Sequence, residues 1–153
     1  MTGQRACRWM SVGFLVATLT GSTLLAQSAD DRRAVERAVL DYVEGFYEGD
    51  TTKLVRSVHT DVVKYGFYVP RDASTYRGQP MPFAEFMSYA NRVRASGRPA
   101  PADAPKVIEV FDVLDQTASA KLTASWGTDY LLLAKYDERW MIRQVLWQTP
   151  VRR

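Results

Sequence analysis

The sequence predicts an α+β fold in which helices cover one face of a curved antiparallel sheet. Over residues 30–48 apolar side chains recur every three or four positions, which is typical of an amphipathic helix. From Lys106 onward the chain is rich in β-branched and aromatic residues, in short runs separated by polar turns, which is typical of strands. A chain of 153 residues is long enough for one domain with its own core and too short for two.

The elements follow one another in the predicted order α-α-β-α-β-β-β-β. Gly49-Asp50 ends the first helix, and the Asp50 carboxylate can cap the next one. Pro82 suits the first turn of the third helix. Residues 59–61 predict a turn, and residues 69–81 predict a loop because they are rich in turn formers. The predicted helices cover residues 30–48, 51–58 and 82–93, and the predicted strands cover residues 62–68, 106–114, 117–124, 126–136 and 139–148.

The first 28 residues differ from the rest and predict a secretory signal peptide. Arg5 and Arg8 form a positive start, an uncharged apolar stretch covers residues 12–25, and Ala26-Gln27-Ser28 offers a cleavage site, with Leu24-Leu25-Ala26 as a second possibility. The alternative is a membrane anchor, but the apolar run is shorter than the roughly 20 residues that a spanning helix needs. We therefore expect a periplasmic or secreted protein whose domain comprises residues 29–153, with no stable membrane anchor after cleavage.

The composition of that domain argues against several classes of function. Of the 20 basic residues two lie in the signal segment, which leaves 18 against 17 acidic residues. A nearly neutral chain does not suit a nucleic-acid partner. Cys7 is lost with the signal and His59 is the only histidine, which argues against disulfides, thiol catalysis and a metal site. The sequence also has no nucleotide-binding glycine loop. We predict neither a cofactor nor a metal.

Three stretches resemble the motifs of a known family. Tyr42–Asp50 resembles its aromatic Y-x-x-G-x-x-x-G-D pattern, and Val58–Lys64 resembles its F-H-P-D-x-x-K pattern. Asp129–Ile142 is similar to its D-Y-L-x-L-x-K-x-D-G-x-W-x-I pattern. In this order and spacing they resemble the putative lumazine-binding family, a neighbour of the SnoaL-like proteins in the nuclear-transport-factor-2-like superfamily. The resemblance covers about residues 31–148.

The resemblance implies a cone-shaped domain. In this superfamily the curved sheet wraps around a long N-terminal helix, two shorter helices complete the domain, and an apolar pocket is left at the open end of the cone. The resemblance also implies a homodimer formed through the sheet. The chain departs from the family pattern at two positions, where Thr60 replaces the usual proline and Glu138 replaces the usual turn glycine.

An aromatic-lined pocket is predicted, because the chain is rich in rings that suit a small planar or apolar ligand. The alternative is that most of these rings simply fill the cone. The predicted ligand-binding residues are Tyr42, Phe46, Tyr65, Trp126, Tyr130 and Trp147. Lys64 and Lys135 are expected to snorkel or to lie exposed, whereas Trp140 and Ile142 are expected in the core.

His59 and Asp129 are the candidate catalytic residues. An imidazole can take up a proton near neutral pH, although a turn position equally suits a capping or loop-fixing role for His59. A carboxylate buried in an apolar strand can act as an acid or base, and the alternative for Asp129 is a hydrogen-bonding or interface role. Strand alternation sends Asp129 with Leu131 to one face and Trp126 with Tyr130 to the other, so only one of Asp129 and Tyr130 faces the interior.

Three functions follow from these observations. The first is an exported domain that binds a small molecule in an aromatic pocket. The second is a cofactor-free isomerase or dehydratase of the ketosteroid-isomerase or SnoaL type, with Asp129 or His59 as the base and Tyr130 or Tyr42 as the hydrogen-bond donor. The third is an accessory or structural subunit whose cone is filled.

Overall fold

The computed structural model describes the backbone of residues 20–150 and the side chains of residues 28–150. Residues 1–19 of the predicted signal segment lie outside this description, and the backbone of residues 20–28 forms the start of a helix. The helices are α1 (Thr20–Glu48), α2 (Thr51–Ser57) and α3 (Phe83–Ser96), and the strands are β1 (Val58–Tyr68), β2 (Arg77–Pro80), β3 (Lys106–Val113), β4 (Thr117–Ala124), β5 (Gly127–Tyr136) and β6 (Arg139–Gln148). None of these helices combines the length and the hydrophobicity needed to cross a membrane.

The predicted α+β fold is confirmed. The described strands form one curved sheet in the order β2-β1-β6-β5-β4-β3, with the helices packed on its inner face. Strands β3 to β6 are antiparallel neighbours, as the sequence predicts. However, β1 pairs with β6 in parallel, so the sheet is not antiparallel throughout. A long stretch of chain separates these two strands, and a long connection permits either orientation.

The core lies between α1 and the inner face of the sheet. The apolar stripe of α1 is buried, including Val35, Val39 and Val43. On β4 the buried residues alternate with less buried ones, and most of the buried ones are alanines, which let the opposing layer approach closely. Fully burying a valine or leucine side chain stabilises a fold by about 1.5–3 kcal/mol, so this apolar interface holds the helices on the sheet.

The junction between α1 and α2 follows the predicted chemistry. Gly49 has a φ of 70°, in the left-handed region, and a Cβ there would lie 2.6 Å from the backbone nitrogen of Arg94. The Asp50 carboxylate then accepts hydrogen bonds from the backbone N–H of Thr52 at 2.8 Å and of Lys53 at 3.4 Å. It thereby satisfies N–H groups that the first turn of a helix leaves free.

The first helix begins at Thr20 rather than at residue 30, and two segments were assigned to the wrong kind of element. Residues 59–61 belong to β1, which begins at Val58, rather than to a turn. The pairing of β1 with β6 shifts register between Val58 and Val63. This irregularity lets residues 59–61 belong to the strand although they do not alternate between apolar and polar side chains. The predicted loop over residues 69–81 contains β2, an exposed edge strand of sequence Arg-Gly-Gln-Pro, in which no apolar alternation indicates a strand.

The β5–β6 turn is formed by Asp137 and Glu138, as predicted. Their φ angles are 47° and 62°, so both residues are left-handed. Two left-handed residues are the signature of the two-residue hairpin turn that usually carries Asn-Gly or Asp-Gly. A residue with a Cβ pays a conformational penalty of roughly 1 kcal/mol in this region, so Glu138 is a local point of strain.

Candidate functional site

A cavity of about 210 Å³ lies where α1 and α3 meet the inner face of the sheet. It is lined by four aromatic side chains, one thioether, one amide and one amine. The lining residues are Phe46, Lys64, Gln79, Met81, Tyr89, Trp126 and Trp147. Three of the predicted ligand-binding residues, Phe46, Trp126 and Trp147, are therefore brought together, and Lys64 is the charged side chain among them.

The register of the sheet positions the polar part of this site. Gly66 of β1, Trp147 of β6 and Asp129 of β5 are paired neighbours in one row across the sheet. Glycine allows the Trp147 indole to lie across β1, because a Cβ at position 66 would fall 1.7 Å from Trp147 Nε1. Lys64 lies two residues before Gly66 on β1 and therefore projects from the same inner face.

Lys64 is buried, with 7% of its surface exposed. Its Nζ donates a hydrogen bond of 2.7 Å to the Tyr42 hydroxyl. The same Nζ lies between 5.1 and 5.8 Å from the ring centroids of Phe46, Phe86, Tyr42 and Trp147. Burial lowers the pKa of the Lys64 amine, and the negative charge of Asp129 only partly opposes this effect.

Asp129 lies behind the cavity wall and is fully buried. Its Oδ2 accepts a hydrogen bond of 3.0 Å from Trp126 Nε1, while Oδ1 has no hydrogen-bond partner within the described part of the chain. Burial raises the pKa of Asp129, against the opposing influence of the Lys64 charge and of the hydrogen bond from Trp126. Burial also raises the pKa of Tyr42 well above its usual value, and the Asp129 charge adds to this.

Tyr130 and Tyr65 are not part of this site. Asp129 faces the interior, and Tyr130, the next residue, is 55% exposed on the outer face of the sheet. Tyr65 is 41% exposed and lies beside Lys64 on β1, on the opposite face of that strand. The alternation of side chains along a strand accounts for both placements, and the structure does not bring these two predicted ligand-binding residues to the cavity.

The expected orientation of Trp126 is wrong. Strand alternation places its side chain opposite Asp129, yet its indole donates a hydrogen bond to Asp129 and lines the cavity. Trp126 precedes β5 rather than belonging to it, and Gly127 has a φ of 132°. The turn therefore rotates the chain, and the alternation that holds from Gly127 onward does not extend back to Trp126.

His59 lies away from the cavity. Its ring stacks on Tyr136, with 4.5 Å between ring centroids. Its Nδ1 accepts a hydrogen bond of 3.1 Å from the backbone N–H of Asp61. The structure therefore places His59 at the N-terminal end of β1 and does not bring it together with Asp129, the other candidate catalytic residue.

The expectation that Lys64 and Lys135 snorkel or lie exposed is wrong. Lys64 lines the cavity, and the Lys135 side chain is only 8% exposed because its Nζ pairs with Asp31 at 2.7 Å. Asp31 also accepts a hydrogen bond from the indole of Trp140, which is buried as predicted. Lys64 is the cavity residue that sequence reasoning missed, although its spacing from the buried Val62 was a usable signal.

A second buried carboxylate, Asp41, lies in a different part of the molecule. It opens on a groove of about 510 Å³ between α1, α2 and the β5–β6 turn, which Glu138 also lines. Arg56 donates hydrogen bonds of 2.5 and 2.7 Å to its two oxygens, and Arg37 donates one of 2.5 Å. Burial raises the pKa of Asp41, but the two arginines outweigh burial and hold it below its usual value.

The fold of the chain is similar to that of nuclear-transport-factor-2-like proteins. A protein of this kind from Shewanella baltica OS155, of unknown function, is 19% identical over 81% of this chain and 97% of its own, with a TM-score of 0.63. A second, from Methylobacillus flagellatus KT and also of unknown function, is 20% identical over 81% of this chain and 95% of its own, with a TM-score of 0.62. At these identities the likeness shows the fold alone.

A third similar structure has a cystatin-like fold. It is a nuclear-transport-factor-2-like protein from Novosphingobium aromaticivorans, 11% identical over 88% of this chain and 91% of its own, with a TM-score of 0.61. No curated protein matches the chain. The sequence model of the putative lumazine-binding family matches residues 30–148, and the chain belongs to that family.

Proposed function

We propose that this domain binds a small planar, aromatic or apolar molecule in the cavity around Lys64. The observation that carries this proposal is a buried amine lining a cavity whose other walls are mainly aromatic. Ring faces suit a flat ligand, and one polar group gives it a fixed orientation. Membership of a family described as putative lumazine-binding supports the same class of ligand.

The size of the cavity favours a small ligand. Its volume of about 210 Å³ is below the roughly 300–1,000 Å³ of sites for drug-sized molecules. A single heterocycle or substituted ring suits this space better than an extended polycyclic molecule. The cavity also counts against the third function, an accessory subunit with a filled cone.

The isomerase or dehydratase alternative has one observation in its favour. Asp129 is a buried carboxylate with a raised pKa, and it interacts with the phenol of Tyr42. However, neither of these residues lines the cavity, and His59 lies elsewhere. A general base must come within hydrogen-bond reach of the proton that it removes, so this geometry favours binding over proton transfer to or from a ligand.

Native mass spectrometry of the purified protein tests the proposal, because it reports a co-purifying ligand directly. Titration with lumazine, followed by quenching of fluorescence, tests the family's presumed ligand. Lys64→Met is expected to weaken ligand affinity several-fold, since a hydrogen bond contributes about 0.5–1.5 kcal/mol. The packing around position 64 should be kept, because methionine is an apolar side chain of similar length.

Lys53→Met is the matched control for this experiment. Lys53 lies on α2, does not line the cavity, and pairs with Glu44 and Glu48 at 2.7 Å. It should leave affinity unchanged. Equal affinities for the two variants, or the absence of both a co-purified ligand and lumazine binding, would count against the proposal.

We further propose that the domain is exported, with cleavage after Ser28. The position of the buried apolar side chains of α1 supports this proposal. Among the described residues they begin at Val35, so cleavage after Ser28 would leave all of them in the domain. A C-terminally tagged protein should appear in the periplasm or medium, with Ala29 as its first residue on N-terminal sequencing. Full-length protein retained in the cytoplasm would exclude this route.

We also propose a homodimer formed through the outer face of the sheet. Apolar side chains there remain at least half exposed in the single chain, namely Val63, Phe111, Tyr130, Leu132 and Leu146. A contiguous apolar patch of this kind typically marks an interface. Leu132→Asp should convert a dimer to a monomer in sedimentation velocity, whereas Val55→Asp, a change at an equally exposed position on α2, should not. A monomeric wild-type protein would refute the proposal.

A further inference from the structure

Lys64 differs from the other four lysines of the chain in its partners. Lys53, Lys106, Lys121 and Lys135 each pair with a carboxylate, at distances between 2.6 and 3.1 Å. Within the described residues no carboxylate oxygen lies within ion-pairing distance of Lys64 Nζ, and its hydrogen-bond partner is the Tyr42 hydroxyl. An ion pair keeps an amine protonated, whereas burial without an ion pair favours the neutral form.

We propose that Lys64 is a nucleophile that condenses reversibly with the carbonyl group of an aldehyde or ketone ligand held in the cavity. This inference rests on the proposed binding function and adds the chemical class of the ligand. It follows from the position of Nζ, which is the amine lining the cavity and is surrounded by aromatic walls that would hold the rest of the molecule.

The condensation is balanced without an oxidant or a second substrate. The lone pair of the neutral amine attacks the carbonyl carbon, so a C–N bond forms and the carbonyl oxygen takes up a proton. The C–O bond of the resulting carbinolamine then breaks and the oxygen leaves as water, taking with it both protons lost from nitrogen. The product is an imine between Nζ and the ligand.

The Tyr42 hydroxyl is placed to take up a proton that Nζ loses. The Tyr42 hydroxyl is 2.7 Å from Nζ, within reach for a direct transfer. The Asp129 carboxylate interacts with Tyr42, and its Oδ1 has no hydrogen-bond partner among the described residues. Burial lowers the pKa of Lys64 and raises the pKa of Asp129, so both groups shift towards their neutral forms. A neutral amine is the form that the attack on the carbonyl carbon needs.

Reductive trapping tests the inference on the unmodified protein. The full chain would be incubated with benzaldehyde and sodium cyanoborohydride, which converts an imine to a stable secondary amine. Intact-mass measurement counts the benzyl groups, and peptide mapping locates them. Lys64 should be labelled at least about tenfold faster than Lys53, because each unit by which a pKa falls raises the neutral fraction of an amine about tenfold. Ion pairing instead raises the pKa of Lys53, against the effect of its burial.

Two variants provide matched controls. Lys64→Arg should abolish the fast labelling, whereas Lys53→Arg, which retains a cation for Glu44 and Glu48, should leave it unchanged. Pre-incubation with benzyl alcohol, which has the same ring but no carbonyl group, should slow labelling of Lys64 by occupying the cavity. Peptide mapping of the wild-type protein identifies the labelled lysine even when a variant fails to fold.

The other outcomes separate this inference from the proposed function. If benzyl alcohol or lumazine binds, as changes in the fluorescence of Trp126 and Trp147 would report, but Lys64 is labelled no faster than the remaining lysines, the covalent step is wrong and the binding function stands. If none of benzaldehyde, benzyl alcohol and lumazine alters that fluorescence and Lys64 is not labelled preferentially, the binding function and the covalent step both fail.

Discussion

Asp41 on α1 and Asp129 on β5 are both buried carboxylates, and they are stabilised in opposite ways. Asp41 is 2% exposed and is held by two arginines whose side chains reach it from a solvent-accessible groove. Asp129 is fully buried, accepts one hydrogen bond from an indole, and has one oxygen without a partner within the described chain. Hence the pKa of Asp41 is lowered and that of Asp129 is raised.

The comparison separates a structural carboxylate from a candidate functional one. The arginines of Asp41 bridge α1 and α2, so its charge ties two elements together. Asp129 makes no comparable bridge and lies beside a buried lysine instead. Buried charges without full compensation cost stability and are concentrated at functional sites, which is why the cavity side of the molecule is the better candidate for chemistry.

The largest effect is expected from Asp41→Asn. The amide cannot accept charge-assisted hydrogen bonds from Arg37 and Arg56 on both oxygens, so the free energy of unfolding should fall by about 2 kcal/mol. This figure is below that for a fully buried pair because both arginines are 52% exposed. Urea denaturation near neutral pH measures it, with Asp72→Asn, at an exposed position, as the control. If the change is as small as that of the control, Asp41 has no structural role.

The next effect has the opposite sign and is expected from Asp129→Asn. Replacing a buried carboxylate with a neutral amide removes a desolvation cost, while the amide oxygen can still accept the hydrogen bond from Trp126. The ligand-free protein should therefore gain about 1 kcal/mol near neutral pH. The same denaturation experiment applies. A loss of stability as large as that of Asp41→Asn would show that Asp129 is a structural residue.

The two carboxylates should also respond to pH in opposite directions. The pKa of Asp41 is lowered by folding. Its contribution to the free energy of unfolding is therefore present above the unfolded pKa and is lost as the pH falls through the folded pKa. The pKa of Asp129 is raised by folding. Its contribution to the free energy of unfolding is therefore lost as the pH rises from the unfolded pKa through the folded pKa. The gain from Asp129→Asn should therefore be smaller at about pH 4 than at about pH 7. A gain independent of pH would contradict the raised pKa.

The smallest effect is expected from Glu138→Gly. The change relieves the left-handed conformation of Glu138 and removes a second carboxylate from the groove of Asp41. The free energy of unfolding should rise by about 0.5–1 kcal/mol, and Asp41→Asn should cost the same in this background as in the wild type. A different cost would mean that Glu138, and not only Asp41, holds the arginines in place.

Much of the fold could be predicted because its causes are local. The apolar stripe of α1, the alternation along β4 and the Asp137-Glu138 turn are visible in short stretches of sequence. Strand β2 could not be predicted from its four residues, since an edge strand of this composition is defined by the neighbour it pairs with. The parallel pairing of β1 with β6 likewise depends on the path of the whole chain.

The site could be predicted in part. Alternation showed that only one of Asp129 and Tyr130 can face the interior. It did not show which one, because the face that a strand turns inward depends on the packing of the whole sheet. Lys64 lies in phase with buried Val62, so alternation alone places it inside. It was missed because a lysine is usually at the surface. The orientation of Trp126 depends on the backbone at Gly127, which the sequence does not specify.

The parallel pairing of β1 with β6 also sets the order in which the cavity can be assembled. Lys64 comes from the first strand of the sheet along the chain, while Trp147 comes from the last. Pairing between distant segments must wait until the intervening chain has been ordered. β6 is synthesised after the other described strands, so a nascent chain can fold much of α1 and the β3–β5 meander before the cavity exists. The cavity is therefore complete only after β6 has been synthesised.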